Sequence, residues 1–189
     1  MTGIPGKTGV VYTLDRETGE FLWATPTVAQ NVITHIDGAT GTVTENPEVI
    51  FSALGQEVLV CPSWAGGKDW EAGAYSPLTH TMYFPLRNAC QRLLSTTDGS
   101  GPYALAARHE LAPGTDQLGT VRAISVETGQ TAWLYEQRAA TTSLVATGGG
   151  LLFGGDVNGR FRAFDQDTGD VLWEVNLGSP VTGYPITYA

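Results

Sequence analysis

Cysteine and histidine are scarce in this sequence, which has only Cys61, Cys90, His35, His80 and His109. Two cysteines cannot make a four-cysteine metal site, and neither lies in a Cys-x-x-Cys-His haem-attachment segment. At this level two buried thiols and one bridge both remain open. The histidines show no metal-ligand spacing, so surface or turn positions are expected for all three. Lys and Arg total 10 against 19 Asp and Glu, and the net charge of −9 offers no footprint for nucleic acid or an anionic membrane surface. No run approaches the roughly 18 apolar residues of a membrane-spanning helix. The opening residues, MTGIPGKTG, have neither the apolar core nor the cleavage pattern of a secretory signal. With charged residues at 15% and hydrophobic ones at 42%, the composition points to a packed core rather than disorder.

Glycine is plentiful, with 24 residues alongside 10 prolines, as short strands joined by tight turns require. One pattern recurs in VYTLDRETGEFLW (11–23), ITHIDGATGTVTE (33–45), VRAISVETGQTAW (121–133) and FRAFDQDTGDVLW (161–173). A worn copy, GAYSPLTHTMYF, covers 73–84. Apolar alternation leads into Asp or Ser, whose side-chain oxygen accepts from backbone N–H groups two or three residues on. Gly takes the turn position that needs φ > 0, and a second strand follows. Aligned on Asp15, Asp37, Ser76, Ser125 and Asp165, the positions eight residues later are Trp23, Glu45, Phe84, Trp133 and Trp173.

A large aromatic there can dock against a neighbouring sheet, so Trp23, Trp133 and Trp173 are expected between blades. Trp133 and Trp173 lie 40 residues apart, within the period of a four-stranded propeller blade. Phe84 precedes Trp133 by 49 residues and follows Trp23 by 61, which implies insertions. Residues 148–165 read as strand, Asn-Gly hairpin and strand. The expected fold is an all-β propeller, with 1–189 part of a single domain and an irregular insertion at about 86–118. Four aromatic-ended units would leave an open arc of sheet edges, so a fragment is expected rather than a closed ring.

GKTGVVYTLDRETG (6–19) resembles the Lys/Arg-x-Gly-x-x-Tyr-x-x-Asp-Arg segment of pyrroloquinoline-quinone (PQQ)-dependent methanol and ethanol dehydrogenases. ITHIDGATG (33–41), VCPSWAGGKDWEAGAYSP (60–77), LVATGGGLLFGGDVNGRFRAFDQDTGDVLW (144–173) and GSPVTGYPITY (178–188) match the same family in order. The resemblance implies about four blades of an eight-bladed propeller with PQQ-type repeats, which carries the quinone and a Ca²⁺ or lanthanide ion near its axis.

It places a cofactor-contacting cation at Lys7, where a positive donor would stabilise charge developing on a quinone oxygen. The amide of the family's Gly-Gly-x-Asn-Trp motif falls on Asp69, a carboxylate that donates only when protonated and would partly neutralise Lys7 if adjacent. The alternative role for Asp69 is to order its Gly-rich turn, and Trp70 is expected to pack. A large cofactor-side residue falls on Thr141, which implies a roomier or more polar site. Cys61 and Cys90 match cysteines that are disulfide-linked in the methanol dehydrogenases. A hairpin-type return through 81–86 would bring them within range, and a bridge would point to the periplasm. The family's general base and metal ligands lie upstream of the Lys7 segment, so no catalytic carboxylate and no metal ligand is assigned here.

The implied activity is oxidation of a small alcohol by hydride transfer to PQQ, with a c-type cytochrome as electron acceptor. The alternative is a non-catalytic propeller of the kind found in outer-membrane assembly lipoproteins. Such a scaffold would not need the Lys7 segment, Gly66–Trp70 or the cysteine pair.

Overall fold

The computed structural model describes residues 2–3, 6–96 and 104–188. Its strands are β1 (Thr2–Gly3), β2 (Val10–Leu14), β3 (Phe21–Pro26), β4 (Ile33–Ile36), β5 (Val43–Glu45), β6 (Glu57–Val60), β7 (Ala74–Ser76) and β8 (Thr81–Arg87). They continue as β9 (Ala89–Thr96), β10 (Ala104–Leu111), β11 (Gly119–Ser125), β12 (Thr131–Gln137), β13 (Thr141–Ala146), β14 (Leu151–Asp156), β15 (Arg160–Asp165) and β16 (Val171–Asn176). Every pairing is antiparallel. The strands gather into two compact units, Met1–Gly67 with Asn88–Thr115, and Lys68–Arg87 with Asp116–Ala189.

The repeated turn folds as its chemistry requires. Asp15 Oδ1 accepts from the backbone N–H groups of Glu17 and Thr18 at 2.8 Å each, and Asp37 and Asp165 do the same for the residues two and three places on. Ser125 makes a weaker version, with its Oγ 3.4 Å from Thr128 N. The fifth position has φ of 76°, 72°, 69° and 78° at Gly19, Gly41, Gly129 and Gly169. In the worn copy this place belongs to His80 at φ 49°, so that histidine does serve a turn.

Both Asp15 and Asp37 are held below the usual carboxylate range. The N–H groups of Thr18 and Glu17 and the Thr18 hydroxyl do this for Asp15, and the Thr40 hydroxyl with the N–H groups of Thr40 and Ala39 for Asp37. Their charged forms are favoured by folding. The stabilisation is complete above the ordinary Asp value of about 3.9 and is lost as pH falls through the lowered folded values. Melting curves of the first unit should therefore hold steady down to about pH 4 and then drop. The pair Asp15→Asn and Asp37→Asn should flatten that drop, and an unchanged acid slope would overturn the assignment.

In the second unit, sheets β12-β11-β8-β7 and β13-β14-β15-β16 enclose a core of Tyr83, Val121, Ala123, Trp133, Leu144, Leu152 and Phe164. Trp133 docks on the turn that closes β15–β16. Its indole N–H donates to the Gln166 carbonyl at 2.9 Å, and a Cβ at Gly169 would lie 2.6 Å from its ring. The predicted Asn-Gly hairpin joins β14 to β15, with Asp156 Oδ1 accepting from the N–H groups of Asn158 and Arg160.

Four expectations are corrected. Trp173 is not between blades. It lies on the edge strand β16, meets Phe161 of its own sheet and remains 50% exposed, because no following blade turn packs on it among the described residues. Trp23 is only half-buried, and Phe21 takes the docking role in the first unit, where a Cβ at Gly41 would lie 2.5 Å from its ring. Phe84 does not end a blade of its own, since β8 pairs with β11 and shares a sheet with Trp133. The stretch 86–118 is not irregular: it holds β9 and β10, paired from Ala89↔Leu111 to Thr96↔Ala104, and β9 joins β6 in the first unit. Residues 97–103 lie outside the described residues. The excursion breaks the repeat because β9 pairs with β6 rather than with β8, its immediate predecessor in the chain, and β11 then returns to β8.

Candidate functional site

In the first unit the Lys7 segment is a short 3₁₀ turn, Gly6–Thr8, that leads into β2. It is seated on the Gly66–Gly67 turn, whose Gly67 N–H donates to the Lys7 carbonyl at 3.0 Å. Glycine is required on both sides of this contact. A Cβ at Gly67 would stand 2.5 Å from Val28 Cγ2 and 3.3 Å from Gly9 Cα, and one at Gly9 would meet the same Val28 methyl at 2.5 Å. Two segments far apart in sequence are thereby locked backbone to backbone.

The exposed Lys7 side chain is held by Trp64, a residue to which sequence reasoning gave no role. Its ammonium donates to the Trp64 carbonyl at 2.7 Å and lies 5.5 Å from the centroid of the Trp64 ring. The indole N–H of Trp64 donates to His109 Nε2 at 3.3 Å, and the backbone N–H of Trp64 donates to the buried Gln91 side chain at 3.0 Å. The only sequence signal for Trp64 was its place between Cys61 and Gly66.

Behind this turn Cys61 and Cys90 form a disulfide, with Cα atoms 4.4 Å apart. The bridge continues the β6–β9 register, in which Val60 faces Gln91, so that the next residues of each strand face one another. That pairing brings the cysteines together; the return through 81–86 does not, because β8 belongs to the second unit. Asn31 secures the same end of β6, accepting from Cys61 N–H and donating to the Leu59 carbonyl at 2.8 Å each. Against these elements lies a cavity of about 390 Å³ lined by Lys7, Thr8, Val32, Val60, Pro62, Ser63, Trp64, Gln91, Leu93 and Ala107.

The other candidates lie in the second unit. Asp69 is exposed, in a turn where the half-buried Lys68 ammonium donates to the carbonyls of Asp69 and Glu71. Burial lowers the Lys68 pKa, and the Glu71 and Asp69 charges oppose that shift. Asp69 thus belongs to a turn ordered by its own neighbours. Trp70 is half-exposed and packs edge-on against Tyr184 at 5.9 Å. Thr141 is buried, and its hydroxyl lies 2.8 Å from the Thr120 carbonyl and 3.4 Å from that of Leu86. Its polar atom is therefore engaged with the backbone of the adjacent sheet.

Among the described residues no group of three or more His, Cys, Asp or Glu could hold a metal ion. Among the described residues no helix is long and apolar enough to cross a membrane.

Residues 115–189 match the family "Glucose/ethanol/alcohol dehydrogenase, beta-propeller domain". The chain is 33% identical to a lanthanide-dependent methanol dehydrogenase of Methylacidiphilum fumariolicum, over 96% of this chain and 31% of that protein. It is 31% identical to the methanol dehydrogenase [cytochrome c] subunit 1 of Methylobacterium organophilum, over 97% of this chain and 31% of that one. A solved europium-containing methanol dehydrogenase superposes with a TM-score of 0.82 at 32% identity, covering 95% of this chain and 32% of that one. The sheets are therefore blades of a β-propeller, and the chain spans about a third of the length of these relatives.

Proposed function

Because the chain belongs to the PQQ-dependent quinoprotein alcohol dehydrogenases, we propose that it is the carboxy-half portion of a periplasmic enzyme that oxidises a small alcohol. In this reading residues 1–189 form part of a single propeller domain, and electrons leave to a c-type cytochrome. The relative whose name includes cytochrome c supports that acceptor. The Cys61–Cys90 bridge supports an oxidising compartment.

The junction of the Lys7 segment with the Gly66–Gly67 turn carries the proposal. An ammonium has three donors, and Trp64 accepts from one of those on Lys7, which leaves two N–H groups for an oxygen ligand. A fixed cation with free donors fits a quinone carbonyl. The quinone, when bound, supplies the two-electron acceptor for the alcohol's hydride. Lys7 holds positive charge and donates where negative charge accumulates on oxygen. Asp69 is proposed as a second contact, through an exposed carboxylate that offers acceptor atoms. Thr141, with its hydroxyl engaged, contributes small size at the cofactor face rather than a donor. The general base and the ligands of a Ca²⁺ or lanthanide ion would come from the other two-thirds of a family-length protein.

Alcohol-dependent dye reduction tests this, with PQQ and Ca²⁺ or a lanthanide added. The 189-residue chain should show no turnover, and the chain completed to the length of its relatives should show it. A positioned base alone contributes typically 10²–10⁴-fold. Robust turnover by the short chain would place the base among its own residues. No turnover by the completed chain across several primary alcohols would overturn the reading.

A further inference from the structure

We propose that Gln91 and His109, on the β9–β10 pair that departs from the blade repeat, are positioning residues for Lys7 and act on it through Trp64. The proposal rests on the cofactor-facing role given to Lys7 above. Gln91 and His109 stand directly opposite one another in the β9–β10 register, so their side chains leave the same face of the ladder. Each takes one N–H of Trp64. Gln91 Oε1 accepts from the backbone N–H at 3.0 Å, and His109 Nε2 accepts from the indole N–H at 3.3 Å. The two acceptors fix different parts of the residue. Gln91, only 4% exposed, holds the main chain of the residue whose carbonyl receives the Lys7 ammonium at 2.7 Å. His109 holds the ring, whose centroid lies 5.5 Å from that ammonium.

Trp64 is 67% exposed and gains little from burial, so its pose is set by these polar contacts. The lysine needs such a support. Gly67 places the Lys7 backbone, but a flexible four-carbon stem separates that backbone from the ammonium. A donor that is already ordered requires no reorganisation at the moment when charge develops on oxygen. Removing the His109 acceptor frees the indole to turn away, and the ammonium then keeps only the Trp64 carbonyl. This gives the departure from the repeat a purpose: β9 joins β6, β10 joins β9, and together they bring Gln91 and His109 alongside the Lys7 turn.

The lysine can be watched without quinone, metal or turnover. Lys7 and Lys68 are the only lysines, so isotope labelling of lysine ε-carbons gives two methylene signals in the nuclear magnetic resonance spectrum of the 189-residue chain, and Lys7→Arg assigns them. The Trp64 ring current should displace the Lys7 signal, and Trp64→Ala marks its position on full release. His109→Ala, at an exposed position, should carry the signal most of the way to that limit, with the Lys68 signal and the urea midpoint unchanged. His109→Gln, whose amide oxygen can accept the indole N–H, should keep it near the parent position. In the family-length protein His109→Ala should lower kcat by about threefold to tenfold at unchanged KM, the loss of one hydrogen bond, and His109→Gln should recover it. Trp64→Phe cuts the same link, so combining it with His109→Ala should cost no more than the larger single loss. A Lys7 signal unmoved by His109→Ala, a kcat loss that glutamine does not recover, or additive losses in the double variant would each overturn the proposal. If the completed protein never turns over, the dehydrogenase reading fails and the lysine signals still decide whether His109 holds Lys7. Turnover with an unmoved signal would sink the positioning role alone.

Discussion

Replacing Trp133 with alanine should lower the unfolding free energy of the second unit by about 3–5 kcal/mol, the range for large aromatic truncations in cores. The ring is 9% exposed and sits between Tyr83, at 5.6 Å, and Phe164, at 6.5 Å. Truncation would remove these contacts and empty the space that Gly169 leaves for the indole. It would also strip the Gln166 carbonyl of its Trp133 donor, although the Tyr83 hydroxyl, 3.0 Å away, still reaches it. Trp173→Ala is the internal comparison. That ring holds the same place in the repeat but is half-exposed, and its loss should cost about 1 kcal/mol or less. Urea unfolding followed by near-ultraviolet circular dichroism measures both. Equal costs would show that the aromatic acts through its own strand rather than by docking on the next blade's turn.

Lys7→Met in the family-length protein should lower kcat by about 10²–10³, the usual effect of removing one preorganised donor to a developing oxyanion. Methionine keeps the length and the apolar stem but removes the charge and every donor. Lys7→Arg restores both, and should recover activity to within about tenfold of the parent. The split between kcat and KM separates this role from a structural one. If Lys7 only pinned Trp64, the methionine variant would lose stability, and its kcat per folded molecule would be unchanged. That result, or a rise in KM alone, would remove Lys7 from the chemistry.

Much of the fold was legible in advance because the turn is self-contained. Asp15, Asp37 and Asp165 close their turns with acceptors and donors lying within three residues, and Gly at the fifth place follows from φ alone. What the aromatic meets was not legible. Trp133 and Trp173 occupy equivalent places, yet one is core and the other is exposed, because docking depends on a turn supplied by another part of the chain. Phe84 misled for a related reason: β9 and β10 leave the sheet and return, so a sequence interval spans one blade instead of two.

At the site, the Lys7 and Gly66–Gly67 segments were recognisable by their resemblance, and so was the cysteine pair. Trp64 was not, since nothing local marks a tryptophan as a clamp. The sequence by itself determined the strand-and-turn grammar, the all-β class and the residues that carry the family likeness. These rest on composition and on hydrogen bonds within a few residues. Only the tertiary structure decided which aromatic is buried, that β6–β9 pairing aligns the cysteines, and that Lys7 lies on Trp64 beside a cavity. Those outcomes depend on register and close packing between segments tens of residues apart, where a single methyl group, such as a Cβ at Gly67, would force the backbones apart.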